Sequence, residues 1–95
     1  MVPDRMKINL SIRVMGRVQG VFFRATTLET ARTLNINGFV RNEPDGSVFI
    51  EGEGSPDGME NFTAWCSHGP AGAKVENITT MPGEVKGYTS FEIRR

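Results

Sequence analysis

Ile8-Asn9-Leu10-Ser11-Ile12-Arg13-Val14-Met15-Gly16-Arg17-Val18-Gln19-Gly20-Val21-Phe22-Phe23-Arg24 is the stretch that decides the fold. In its first half Ile8, Leu10, Ile12 and Val14 are apolar while Asn9, Ser11 and Arg13 are polar, the period-two pattern of a strand with one buried face. Gly16 and Gly20 then bracket a short turn. Beyond it Leu28 and Ala31 continue a helical stripe that passes through position 24, with Leu34 near its edge, until Asn35 and Gly38 break it. A helix is therefore predicted over roughly 22–34. The joint between the two elements carries chemistry. Two glycines let successive backbone N–H groups point at one spot, and the helix start adds unpaired N–H groups and the positive end of its dipole. Arg24 places a full positive charge there, a cost of about 0.3–1 kcal/mol on an isolated helix unless an anion lies between. The loop reads as an anion cradle.

Working outward, Ile36 to Arg41 and Ser47 to Glu53 flank Asn42-Glu43-Pro44-Asp45-Gly46, whose Pro-Asp-Gly marks a turn, so the two segments read as a hairpin. Ser55 followed by Pro56 gives an N-cap and first helical residue. Met59, Phe62, Trp65 and Cys66 form an apolar face, and Gly69-Pro70 ends the pattern. Alternation resumes at Ala73, Val75 and Ile78, and again at Phe91 and Ile93, for a fourth strand and a short closing one. The order βαββαβ plus a terminal strand is the ferredoxin-like pattern, an α+β sandwich with an antiparallel sheet and both helices on one face. In that topology the strand-helix-strand crossover returns the second strand parallel to the first. Asn42 is thereby predicted on the sheet edge that carries the 16–20 loop.

The chain has 95 residues with Lys+Arg 11 against Asp+Glu 11, a size for one domain and a balance without the long-range field that holds proteins on nucleic acid or anionic membranes. A small, locally held anion is the expected ligand, with neither nucleic acid nor membrane as partner and a monomer as the expected state. Residues 1–6 read as a flexible N-terminal extension and 7–95 as the domain. The start lacks the apolar stretch of a signal peptide, so a cytoplasmic protein is expected. Cys66 and His68 are the sole cysteine and histidine, so no Cys/His zinc site can be assembled. No metal and no cofactor is expected.

Each candidate residue also has a plainer reading. Arg24 starts from the core-facing side of the first helical turn, from which it can reach round to a carboxylate such as Glu29 or Glu53. Asn42 can cap the neighbouring turn through its own backbone, or its amide, donor and acceptor at once, can hold a water against a bound phosphate. Phe22, Phe23, Phe39, Phe62 and Trp65 read as core, Cys66 as a buried, inert thiol, and His68 as a partner of a helix C-terminus. No carboxylates stand at a spacing that singles out an acid and a base, and nothing marks a nucleophile. The chemistry left is what positioning and charge stabilisation can drive. An acyl phosphate fits, because its carboxylate leaving group needs no protonation, whereas an alkoxide would. A non-catalytic anion sensor and an RNA-binding module are the competing readings. The RNA reading is disfavoured by Ser47-Val48-Phe49-Ile50-Glu51, which lacks a basic-aromatic strand signature.

These residues resemble the acylphosphatase family. Its signature Gly-x-Val-Gln-Gly-Val-x-Phe-Arg stands as Gly16 to Arg24, and its second signature as Gly38-Phe39-Val40-Arg41-Asn42 with Asp45-Gly46-Ser47-Val48. Gly69-Pro70, Ala73-x-Val75 and Tyr88-x-x-Phe91-x-Ile93 extend the similarity from about Lys7 onward. The resemblance implies hydrolysis of a carboxyl-phosphate bond without metal or covalent intermediate. It implies that Arg24 binds the substrate phosphate with the backbone N–H groups of Arg17, Val18, Gln19, Gly20, Val21 and Phe22, and that Asn42 orients the attacking water. Phe39 stands where many members carry tryptophan. Arg17, Arg41 and Glu43 adjoin the motifs and are candidates for tuning substrate choice.

Overall fold

The computed structural model describes residues 6–95, so most of the expected extension, residues 1–5, lies outside the described residues. The elements follow in the order β1 (Ile8–Arg17), α1 (Phe23–Thr33), β2 (Asn37–Asn42), β3 (Val48–Gly54), α2 (Pro56–Cys66), β4 (Lys74–Gly83) and β5 (Phe91–Arg94). They form one five-stranded sheet in the order β4-β1-β3-β2-β5. The four-stranded part is antiparallel, as the sequence predicts. The closing strand pairs parallel with β2, Gly38 to Phe91 and Val40 to Ile93, which makes the whole sheet mixed. β4 runs on to Gly83, past the last alternating residue, Ile78. As an edge strand it accepts Pro82, whose missing N–H faces no further strand.

Side-chain alternation divides the sheet into two unlike faces. Ile12 and Val14 of β1, Val40 of β2, Val48 and Ile50 of β3 and Phe91 of β5 form one buried cluster with Phe23 and Ala31 of α1 and Met59, Phe62 and Cys66 of α2. The helices therefore cover the same face. The periodicity predicts an α1 stripe through Arg24, Leu28 and Ala31, but the fully buried line is Phe23, Thr27 and Ala31, with Arg24 and Leu28 half-buried on its flank. Thr27 can lie inside because its hydroxyl donates to Phe23 O at 2.7 Å. The other face is polar and aromatic. There Asn9 Nδ2 donates to Glu51 and Glu53 at 2.9 and 2.8 Å, and Arg94 and Arg41 lie over Phe39 and Phe49 at 4.1 and 4.9 Å from the ring centres.

Register fixes where the sheet presents its ends. Val14 and Asn42 both pair antiparallel with Val48, so β1 and β2 run parallel on either side of β3 and their pairing with it finishes in the same row. The topological expectation for Asn42 holds.

Candidate active site

Beyond that row β1 bends away. The β1/β4 register shifts between Met15 and Gly16, and Gly16 adopts a φ of 130°; a Cβ there would stand 2.2 Å from Lys74 O. Gly20 has open space around it but a φ of 75°, so it is the backbone conformation that calls for glycine. Between them Val18 is a wholly buried plug in the core, and half-buried Val21 packs against that core. Gln19 turns the other way. Its Nε2 donates to both Glu43 O and Ser47 O, each at 2.8 Å, and so clips the loop to the β2–β3 turn. Arg17 is exposed.

The loop runs into a helix that lacks a cap of its own. At the N-cap of α1, Phe22 offers no side-chain hydrogen bond, and no acidic residue occupies the first turn. α2 shows the contrast: Ser55 Oγ accepts from Gly58 N at 3.0 Å and Asp57 lies in its first turn. The first N–H groups of α1 and the positive end of its dipole are thus left uncompensated beside the loop.

Val18, Gly20, Phe22, Arg24 and Asn42 line one cleft of about 430 Å³, with Ile93 contributing from β5. The structure therefore brings together Arg24 and Asn42, which stand 18 positions apart in the chain. The alternatives for both residues are taken up elsewhere. Glu53 is spent on the far face of the sheet, where it accepts from Asn9 and from the Gly87 and Tyr88 backbone, and Glu29 is exposed; among the described residues Arg24 forms no ion pair. The turn closes without Asn42: Glu43 N donates to Ser47 O, Gly46 N to Glu43 O, and Asp45 Oδ1 accepts from Ser47 N and Oγ. Asn42 Oδ1 is shielded from solvent and accepts no hydrogen bond among the described residues. An unmatched buried carbonyl of this kind costs about 1–3 kcal/mol.

Other expectations fare differently. Phe23, Phe39 and Phe62 are buried as predicted, but Phe22 is 83% exposed and the core reading fails for it. Its φ of 62° turns its side chain away from the direction a helical residue would take and out to the cleft mouth. Arg41 and Glu43 do not reach the cleft either. Arg41 stacks on Phe39 and Phe49 on the opposite face, and Glu43 sits between Arg41 at 3.3 Å and Arg13 at 3.7 Å. Cys66 is buried, and burial pushes its thiol up to about 12. His68 is exposed at the end of α2, with Nδ1 3.2 Å from Ala64 O.

Gln19, which sequence reading counted only for its backbone, and Ile93 are the contributors it missed. A glutamine inside a glycine turn carries no positional signal of its own. Ile93 depends on which strand β5 pairs with, and alternation does not disclose pairing.

Fold and cleft together define a ferredoxin-like α/β sandwich whose site lies at one end of the sheet, where a glycine loop, an uncapped helix and the end of β2 converge. Residues 10–93 match the Acylphosphatase family model. The acylphosphatase of Trichormus variabilis is 41% identical over 93 residues, covering 98% of this chain and 92% of that protein. That of Natronomonas pharaonis is 42% identical over 89 residues, covering 94% and 97%. The solved acylphosphatase structure from Coxiella burnetii superposes with a TM-score of 0.92 at 32% identity, covering 96% of each chain. The chain belongs to the acylphosphatase family.

Proposed function

We propose that the cleft hydrolyses small acyl phosphates to a carboxylate and inorganic phosphate by direct attack of water, with no metal ion. The observation that carries this reading is the meeting of Arg24 and Asn42 in one cleft, where among the described residues Arg24 forms no ion pair and Asn42 Oδ1 accepts no hydrogen bond. Arg24 and the backbone N–H groups of residues 17–22 hold the phosphoryl oxygens, and the start of α1 adds its dipole. Asn42 holds the attacking water: a half-turn about χ2 exchanges its Oδ1 and Nδ2, so the amide can accept from the water while facing the phosphate. Water attacks phosphorus, the P–O bond to the acyl group breaks, and the bond pair leaves on the carboxylate. The water's proton passes to a phosphoryl oxygen. No side-chain acid is needed because the leaving group is already a stable anion.

Hydrolysis of benzoyl phosphate in excess EDTA tests the reading. Multiple turnover supports it; turnover only after metal is added removes the metal-free mechanism. Phosphate binding without any hydrolysis would make the cleft an anion sensor instead.

A further inference from the structure

Phe22 is the large apolar residue of the cleft that the fold leaves exposed. Its neighbour Phe23 turns inward to 2% exposure and meets Trp65 at 5.6 Å between ring centres, while the Phe22 ring stands 83% exposed at the mouth. Phe22 also occupies the left-handed region, φ 62° and ψ 22°, a conformation that costs a residue with a Cβ about 1–2 kcal/mol and suits glycine. Nor does it serve as a helix cap, since its side chain makes no capping hydrogen bond. The other exposed large apolar residues, Met6, Ile8, Met81 and Val85, lie outside this cleft. A strained backbone that holds an apolar ring in water, next to groups that bind an anion, points to a ligand contact.

We infer that Phe22 is the specificity-determining wall for the acyl group, favouring flat, apolar acyl phosphates over small ones. The inference rests on the acyl phosphate reading above. With the phosphoryl oxygens held at the loop N–H groups and Arg24, the acyl substituent extends from the polar end of the cleft toward its mouth. There the Phe22 ring provides a face to stack on, with half-buried Ile93 as a second apolar surface. At about 430 Å³ the cleft has the size of sites that take small organic ligands, more than a phosphoryl group alone requires.

The test compares kcat/KM for benzoyl phosphate and acetyl phosphate in the unaltered protein, Phe22→Ala, Phe22→Gly and Phe22→Trp. The unaltered protein should prefer benzoyl phosphate. Alanine and glycine should lower the benzoyl-to-acetyl ratio about five- to tenfold, and tryptophan should keep it. Phe22→Gly should at the same time hold or raise the melting temperature, because glycine suits the left-handed backbone, so a purely structural role for the ring cannot mimic the change in ratio. For a variant that turns over too slowly, titration with benzoylphosphonate and acetylphosphonate reads the same ratio as binding. Turnover of both substrates with an unchanged ratio in Ala and Gly overturns the Phe22 assignment alone. Absence of turnover of either substrate by the unaltered protein overturns the acyl phosphate reading and this inference with it.

Discussion

Under the proposed mechanism Arg24 and Asn42 meet the same substrate at different moments, and their substitutions should separate. Under the proposed mechanism the guanidinium touches the phosphoryl oxygens in the bound substrate and in the transition state alike. Arg24→Ala should therefore raise KM and lower kcat together. In the same mechanism Asn42 acts on the water, whose position matters only as the new bond forms. Asn42→Ala should lower kcat by about 100-fold or more while KM stays within a few-fold, as for loss of one group that positions or stabilises only in the transition state. Steady-state kinetics with benzoyl phosphate reads both. A KM effect confined to Asn42, or a kcat effect confined to it with Arg24→Ala fully active, would reverse the assignment. Asn42→Ala should also leave stability unchanged or raise it, because the substitution removes a shielded carbonyl that no described residue satisfies. Chemical denaturation distinguishes this from an asparagine that holds the turn together.

Between residue and fold stands the loop, and Gln19 ties it to the hairpin. Its amide bridges Glu43 O and Ser47 O, so one side chain ties the loop, already anchored by Val18 and Val21, to the turn that follows β2. Gln19→Leu keeps the bulk, removes both donors and strands two carbonyls. It should cost about 1–3 kcal/mol in a urea melt and raise KM, since the loop and Asn42 would no longer share a fixed spacing. A full loss of stability with KM unchanged would mean that the clip serves the fold alone. The same elements mark what a sequence can reveal. Period-two alternation in β1, the Pro-Asp-Gly turn and the Ser55-Pro56 helix start are local signals, and each element they predict is present. The juxtaposition of Asn42 with the loop was legible because a crossover fixes strand direction, and direction fixes which ends meet. What stayed hidden depends on contacts between distant residues. Thr27 lies in the core because its hydroxyl finds the Phe23 carbonyl, and hydropathy counts it as polar. Phe22 reads as core by composition, and only its backbone angle turns it to solvent. Gln19 and β5 act through partners that no local pattern names.

At the scale of the whole molecule the cleft depends on a strap on the far side of the sheet. β4 and β5 lie at opposite edges, so residues 84–90 must cross the sheet to set β5 beside β2, where Ile93 reaches the cleft. Glu53, 2% exposed, holds that crossing by accepting from the backbone N–H groups of Lys86, Gly87 and Tyr88, while Lys86 Nζ pairs with Glu51. Asn37 Nδ2 donates to Tyr88 O at 3.0 Å and Tyr88 sets its ring edge-on to Phe39. Burial works against charge on both glutamates, yet the hydrogen bonds from Asn9 and from Lys86, Gly87 and Tyr88 outweigh it and hold their carboxyls below the ordinary 4.5. A carboxyl lowered by folding contributes stability that is present above its unfolded value and is lost as the pH falls through the folded one. Stability should thus be flat between about pH 6 and pH 8 and decline below the unfolded value near 4.5, as protons reach Glu51 and Glu53 and the strap N–H groups lose their charged acceptor. Glu53→Gln removes that charge at every pH. It should lower the urea midpoint at neutral pH and flatten the acid decline, so that the variant and the unaltered protein converge in acid. Urea titrations from about pH 7 down to about pH 3 measure both limbs. Parallel curves with the same acid slope would place the acid sensitivity in other carboxylates, such as Asp45, which Ser47 also holds below its ordinary value. If the strap loosens as proposed, KM for benzoyl phosphate should rise over the same pH interval before the protein unfolds, because β5 carries one wall of the cleft.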